Sequence, residues 1–251
     1  MFMNKRVVVV MPAYNAAKTI IKTYNEVAQQ GIVDTIVIVD DSSNDETAEI
    51  LKTLNNELIK TVVYFHQKNL GYGANQKTCY KIALAENADI VIMVHPDYQY
   101  TPKLIPAMVG LITSGLYSCV LGSRILGGGA LKGGMPLWKY MINRWLTIMQ
   151  NFIIGEFLSE YHTGYRAFSR EVLENISLGH NSDGFIFDNE MLVQIFWKGY
   201  AIGEVSCPTN YFPEASVISL WNSIKYGLGC FRVSLIYRLA KMKLLKSELF
   251  S

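Results

Sequence analysis

The sequence predicts an α/β protein built on a mainly parallel sheet with helices on both faces. Two observations carry that expectation. Short apolar runs (Val7 to Met11, Thr35 to Val39, Val62 to Phe65, Ile90 to Val94, Tyr117 to Leu121) recur through the first half, without the polar alternation of a strand that has one wet face. Between them lie stretches of helical spacing, from about Ala16 to Ala28, Asp45 to Leu58, Gly73 to Ala85 and Lys103 to Thr113. Strand and helix alternate in turn, as parallel crossover units require.

The punctuation agrees. Thr101-Pro102 opens the fourth helix, with Thr as the cap and Pro at the first helical position, where a missing N–H costs nothing. Ser42 or Ser43 is placed to cap the second, with Asp45 and Glu46 in a first turn that favours carboxylates. The run Gly71-Tyr72-Gly73-Ala74-Asn75-Gln76 lacks the third glycine of a dinucleotide fingerprint and follows the third strand, so it reads as a tight turn into a helix. Gly127 to Gly129 and Gly133-Gly134 lie between Arg124 and Pro136, directly after a strand, which favours a lid over a slack connection.

Composition excludes several classes. The 251 residues are half hydrophobic, ample for one core. A formal net charge of +2 gives no basic stripe for nucleic acid. The four cysteines stand apart, with no CxxC pair, and read as reduced thiols of a cytoplasmic protein. The N-terminal apolar run is shorter than the roughly 7–15 residues of a signal peptide core, and no run approaches the ~18 of a spanning helix.

Two later stretches have helical spacing. Trp138, Trp145, Phe152 and Phe157 read as core, with an acceptor groove or an oligomer contact as the other readings. From Ser216 to Lys246, an apolar row (Trp221, Ile224, Leu228, Phe231, Leu235, Leu239) is accompanied by Lys225, Arg232, Arg238, Lys241, Lys243 and Lys246. This tail either packs on the domain or lies on a membrane surface, the inner face for a cytoplasmic chain.

Three acidic clusters carry the chemistry. Two follow the second and fourth strands, where open sheets bind ligands. In Asp40-Asp41-Ser42-Ser43, a carboxylate can accept from a ribose hydroxyl or a base N–H, or simply cap a turn. In His95-Pro96-Asp97-Tyr98-Gln99, Asp97 and the amide oxygen of Gln99 can face one hard divalent cation bridging a diphosphate. In Asp188-Asn189-Glu190, Asp188 can take a proton from a hydroxyl, or stand on a solvated helix surface. Arg124 and Arg166 suit phosphate oxygens, because a guanidinium matches them in a bidentate way.

In order, MPAYNAA, VDDSSNDET, NLGYGANQKTCYKIA, HPDYQYTP, GSR, HTGYRAFSR and FDNEML resemble the family-two inverting glycosyltransferases of GT-A fold, a Rossmann-like architecture. The dolichyl- or polyprenyl-phosphate sugar transferase branch is the most similar. The resemblance implies one glycosyltransferase domain over 1–251, with a nucleotide-sugar-binding half over 1–124, an acceptor half over 125–212 and a helical tail over 213–251. It implies a UDP- or GDP-sugar donor, a lipid-phosphate or glycan acceptor, and Mg²⁺ or Mn²⁺. Pro12, Ala13 and Tyr14 would lie along the base, with Asp41 binding it and Asp40 beside. Asp97 matches the second Asp of the DxD motif and Gln99 a further metal ligand, whereas His95 replaces the first Asp. Arg124 and Arg166 would hold phosphates, the Gly127 to Gly134 stretch would be the acceptor loop, and Asp188 the general base. The Pro213 to Ser216 segment departs from the lipid-phosphate branch. Two other classes share this chemistry: a sugar-nucleotide pyrophosphorylase, although MPAYNAAKT lacks its glycine-rich basic segment, and a catalytically silent nucleotide-sugar binding module, suggested by His95.

Overall fold

The computed structural model describes residues 2–54, 59–209, 211 and 220–250. The expected end of the second helix at Leu58, the Pro213 to Ser216 segment, the start of the tail at Ser216 and the Trp221 side chain lie outside that description. The strands are β1 (Val7–Ala13), β2 (Thr35–Asp40), β3 (Lys60–Phe65), β4 (Ile90–Met93), β5 (Cys119–Ser123), β6 (Arg166–Ser169) and β7 (Ile202–Ser206). They form one sheet in the order β3-β2-β1-β4-β6-β5-β7, parallel except for β6, which runs against both β4 and β5. The helices are α1 (Ile20–Ala28), α2 (Thr47–Thr53), α3 (Tyr72–Ala85), α4 (Ile105–Thr113), α5 (Gly129–Lys132), α6 (Leu137–Ile154), α7 (Arg170–Asn175), α8 (Phe187–Trp197) and α9 (Leu220–Lys241).

All seven residues of β1 are buried, which explains why the run carries no polar alternation. Val8 and Val10 pack on one face with Cys79, Tyr80 and Ala83 of α3 and Met191 and Ile195 of α8. Val7, Val9 and Met11 pack on the other with Ile20 and Tyr24 of α1 and Met108 and Ile112 of α4. The four cysteines are free and buried.

Several expectations are revised. Neither Ser42 nor Ser43 caps the second helix: Glu46 stands at its N-cap without a side-chain capping bond, and just before it the Asp45 carboxylate accepts from the Thr47 amide and hydroxyl. Thr101 does cap as expected, accepting from the Lys103 amide at 3.3 Å. The glycine loop is folded into a turn and α5 and held against the segment after β7: Tyr211 N donates to Gly133 O, and a Cβ at Gly133 would sit 1.9 Å from Thr209 O. Glycine is required there by that close approach of backbone to backbone.

The largest revision concerns the two long helices. Trp138, Trp145, Phe152 and Phe157 are exposed, the two phenylalanines at 88%. The tail row likewise turns outward: Ile224, Leu228, Phe231 and Leu235 are exposed, while Cys230, Val233, Ser234 and Tyr237 pack on the domain. Periodicity marks an apolar stripe but not its destination. Here the small and polar residues of α9 allow the close approach, with Gly227 facing Leu146 and Ser234 bonded to Gln150.

Candidate active site

The strand order turns at β1, whose neighbours β2 and β4 lead off in opposite directions, and open sheets bind ligands beyond the carboxyl ends at such a point. A cavity of about 1140 Å³ opens there. Pro12 and Tyr14 from the end of β1, Asp41 after β2, and His95, Asp97 and Gln99 after β4 line it. Arg124 after β5, Asp188 in the first turn of α8, and the opening turns of α6 and α9 complete the wall.

Of the residues expected along a nucleotide, Pro12, Tyr14 and Asp41 reach the cavity, whereas Ala13 and Asp40 lie beneath it. The Ala13 carbonyl accepts from Asp41 N at 2.9 Å. The Asp40 carboxylate closes its own turn, accepting from the Ser43 amide and hydroxyl at 3.1 and 2.5 Å. Asp41 ties the loop before α3 to the sheet: Leu70 N and Gly71 N donate to it at 2.9 Å each, and His66 Nδ1 lies 2.7 Å away.

Asp97 and Gln99 flank Tyr98, which sits at φ 57°, a left-handed conformation that costs a bulky residue about 1–3 kcal/mol. Gln99 N donates to Asp97 Oδ1 at 3.1 Å, and Lys22 lies 3.8 Å above the Tyr98 ring. This strained turn sets both side chains at the cavity. Among the described residues, no three His, Cys, Asp or Glu side chains converge as a metal cage. A cation bridging a diphosphate needs only one or two protein oxygens, the rest coming from phosphate and water, and Asp97 and Gln99 fit that donor set. His95 is built into the wall instead. Its Nε2 meets the Tyr72 hydroxyl at 3.1 Å, its ring stacks on Tyr72, and a Cβ at Gly164 would approach Nε2 to 2.3 Å.

Asp188 is not a solvated helix acid. It is 7% exposed, and its two oxygens accept from the Tyr72 hydroxyl at 2.8 Å and Gln76 Nε2 at 3.2 Å. Tyr72 and Gln76 stand one turn apart on α3, so the GYGANQ run supplies the groups that orient Asp188, a spacing that i, i+4 geometry makes readable. Burial, then the charge of Asp188, raises the Tyr72 hydroxyl well above its ordinary value and keeps it a donor.

Arg166 does not reach the cavity. It is fully buried and spends its donors on the carbonyls of Thr163, Asp188 and Tyr161, at 2.8, 2.7 and 3.0 Å. A buried guanidinium must find internal acceptors, and these stitch β6 to α8. Arg124 does line the cavity. Its Nε and one terminal nitrogen bond Glu160, and it also donates to His162 O and the Tyr211 hydroxyl. Burial would lower the Arg124 pKa, but the charge of Glu160 outweighs it and holds the value well above normal. Beside it Lys139 of α6 lines the cavity and forms no ion pair among the described residues, and partial burial and the Arg124 charge lower its pKa. Nothing in the pattern of α6 distinguishes Lys139 from a solvated lysine. Glu160, two residues before His162 of HTGYRAF, gives no sequence signal of its own.

His162 bonds the Tyr226 hydroxyl through Nδ1, and among the described residues its buried Nε2 has no partner. Burial pushes this imidazole from 6.5 down to about 4. The unfolded chain takes up a proton below about pH 6.5 that the native site refuses. The contribution is therefore fully present above that pH and declines as pH falls toward 4. Between about pH 7 and about pH 4.5, His162→Gln should recover about 2–3 kcal/mol of the stability that the native chain loses on acidification. Urea midpoints across that range measure it, and parallel loss in both chains would refute it.

The model of glycosyl transferase family 2 matches residues 8–177. A UDP-N-acetylglucosamine–dolichyl-phosphate N-acetylglucosaminyltransferase of Methanococcus voltae is 30% identical over 220 residues, covering 83% of this chain and 87% of that protein. A polyprenol monophosphomannose synthase of Mycolicibacterium smegmatis is 24% identical over 204 residues, covering 80% and 76%. In fold, the chain is similar to glucosyl-3-phosphoglycerate synthase of Mycobacterium tuberculosis, solved with Mn²⁺, UDP and phosphoglyceric acid, at a TM-score of 0.67 and 18% identity over 97% of this chain and 81% of that one. The chain belongs to glycosyl transferase family 2. It is a glycosyltransferase of GT-A fold, with relatives named as polyprenyl-phosphate sugar transferases.

Proposed function

We propose that the chain moves a sugar from a UDP- or GDP-sugar to a polyprenyl phosphate, with inversion at the anomeric carbon. The observation that carries the acceptor reading is the character of the far wall. Two cations, Arg124 and Lys139, stand where the cavity meets Trp138, Ile142 and Leu146, which suits a phosphate joined to an apolar chain. The two named relatives support it.

Pro12, Tyr14 and Asp41 would receive the nucleoside. Asp97 and Gln99 would hold Mg²⁺ or Mn²⁺, which, when bound, neutralises charge developing on the leaving diphosphate. Arg124, fixed by Glu160, would add a preorganised positive charge. An acceptor phosphate oxygen bonds to the anomeric carbon from the face opposite the diphosphate, as the carbon–oxygen bond to the donor breaks and its electron pair leaves with the diphosphate. A phosphate is already anionic, so no base is required.

A second reading keeps a sugar hydroxyl as acceptor, favoured by Asp188 at the cavity wall. Asp188→Asn separates the two: a loss of roughly 10²–10⁴-fold supports the hydroxyl acceptor, and a near-silent change the phosphate. Before that, thermal unfolding with UDP, GDP, CMP and dTDP, each with and without Mn²⁺, names the donor class. A selective, metal-dependent stabilisation that Asp97→Ala abolishes is the expected result. Stabilisation without turnover across a donor panel would favour the silent binding module, and release of pyrophosphate from a nucleoside triphosphate and a sugar phosphate would identify a pyrophosphorylase.

A further inference from the structure

The helices α6 and α9 run side by side in the same direction. Leu146 faces Gly227, Gln150 bonds Ser234, and Gly155 lies against Arg238, so position advances together along both. With 100° per residue, Met141, Trp145, Ile148 and Phe152 form one row on α6, and Ile224, Leu228, Phe231 and Leu235 one row on α9. Measured from the seam between the helices, both rows point away from the domain, and every one of these side chains is exposed. Contiguous apolar patches of this kind are uncommon on a surface that stays in water.

Charge identifies the occupant. The two helices carry Lys139, Arg144, Lys225, Arg232, Arg238 and Lys241, and no Asp or Glu. The whole chain, by contrast, has 23 basic and 21 acidic residues. Lys225 and Arg232 stand exposed on the outer flank of α9, beside its apolar row. A second copy meeting this face through a two-fold axis would bring like charges together. An anionic lipid surface would satisfy both the apolar rows and the cationic flank. Among the described residues no helix is long and apolar enough to cross a membrane, so the contact is one of surface seating.

We propose that the outer face of α6 and α9 docks the chain on an anionic lipid bilayer. The opening turns of the same helices line the cavity through Trp138, Lys139, Ile142, Ser223 and Tyr226, so a bilayer on this face lies at the cavity mouth. An amphiphilic acceptor would then reach the cavity without leaving the lipid.

The test is sedimentation with vesicles of phosphatidylcholine and phosphatidylglycerol in equal parts, against vesicles of phosphatidylcholine alone, without donor or acceptor. Its outcome is therefore separable from that of the transfer reading. The native chain should pellet with the anionic vesicles and be released by salt. The triple variant Trp145→Glu, Phe152→Glu, Phe231→Glu should lose at least about a thousandfold in partitioning, about tenfold or more for each large apolar side chain. Lys225→Glu with Arg232→Glu should weaken binding to anionic vesicles alone. All five positions are exposed, and a cooperative thermal unfolding transition at the native midpoint checks that each variant is folded. A native chain that stays in the supernatant with both vesicle types overturns the proposal. So does a triple variant that partitions unchanged but loses a dimer seen by sedimentation velocity, which would assign the face to a second copy.

Discussion

Replacing Asp97 by alanine is expected to lower sugar transfer by about three orders of magnitude or more while leaving the fold intact. The side chain sits at the cavity and contributes one bond to its own turn, from Gln99 N, so little structural energy depends on it. On the proposed transfer reading its chemical contribution is much larger. A carboxylate at the diphosphate end of the donor site acts on charge that appears only as the bond breaks, and such preorganised groups are worth about 10²–10³ in rate each. Loss of the cation it would help to hold adds to that. Initial rates over a Mn²⁺ titration check the expectation. A variant that retains native turnover at any Mn²⁺ concentration would remove Asp97 from the mechanism. His95 sharpens the comparison, because its Nε2 is engaged by Tyr72 and does not duplicate the role of Asp97.

The second large effect is on stability. Glu160 is fully buried, and it accepts from Arg124 N and Nε at 2.7 and 2.8 Å and from Asn143 Nδ2 at 2.8 Å. Glu160→Ala removes the partner and leaves a guanidinium that is only 12% exposed. Breaking one member of a buried pair typically costs about 3–5 kcal/mol, because the remaining charge is neither solvated nor matched. Urea denaturation should show that loss, and the double replacement Arg124→Leu, Glu160→Leu should recover much of it. Equal destabilisation by the single and double changes would mean that the pair is not a coupled unit. Donor binding should weaken in the single variant as well, since the arginine at the cavity loses the group that aims it.

The architecture was legible from the first half of the chain because buried parallel strands leave unbroken apolar runs, as Val7 to Met11 and Ile90 to Val94 do. The site's position followed, since strand ends carry ligands in such sheets. Side-chain destinations were less accessible. Arg166 looks like Arg124 in sequence, yet one is enclosed by three carbonyls and the other faces the cavity. Asp40 and Asp41 are adjacent, and strand alternation turns one into its own turn and leaves the other at the wall. Glu160 gained its role from Arg124, 36 residues away. For α6 and α9, periodicity located the apolar stripe but could not tell an inward stripe from an outward one. The inward faces mix Asn143, Thr147, Gln150, Gly227 and Ser234 with Leu146, Ile154, Val233 and Tyr237, so hydrophobicity alone does not single them out.

The placement of β6 has a consequence for synthesis. Strands β4 and β5 are neighbours in the chain but not in the sheet, because Arg166–Ser169 lies between them and bonds both. While the polypeptide is still emerging from the ribosome, β1 to β4 can assemble, but β4 then ends in a bare row of amides and carbonyls. Strand β5 has nothing to pair with until more than forty further residues have been made. A nascent or truncated chain ending in that interval offers an open edge to any other unfinished strand nearby. The late strand thus acts as a closing piece, and fragments cut between β5 and β6 are poor candidates for separate production.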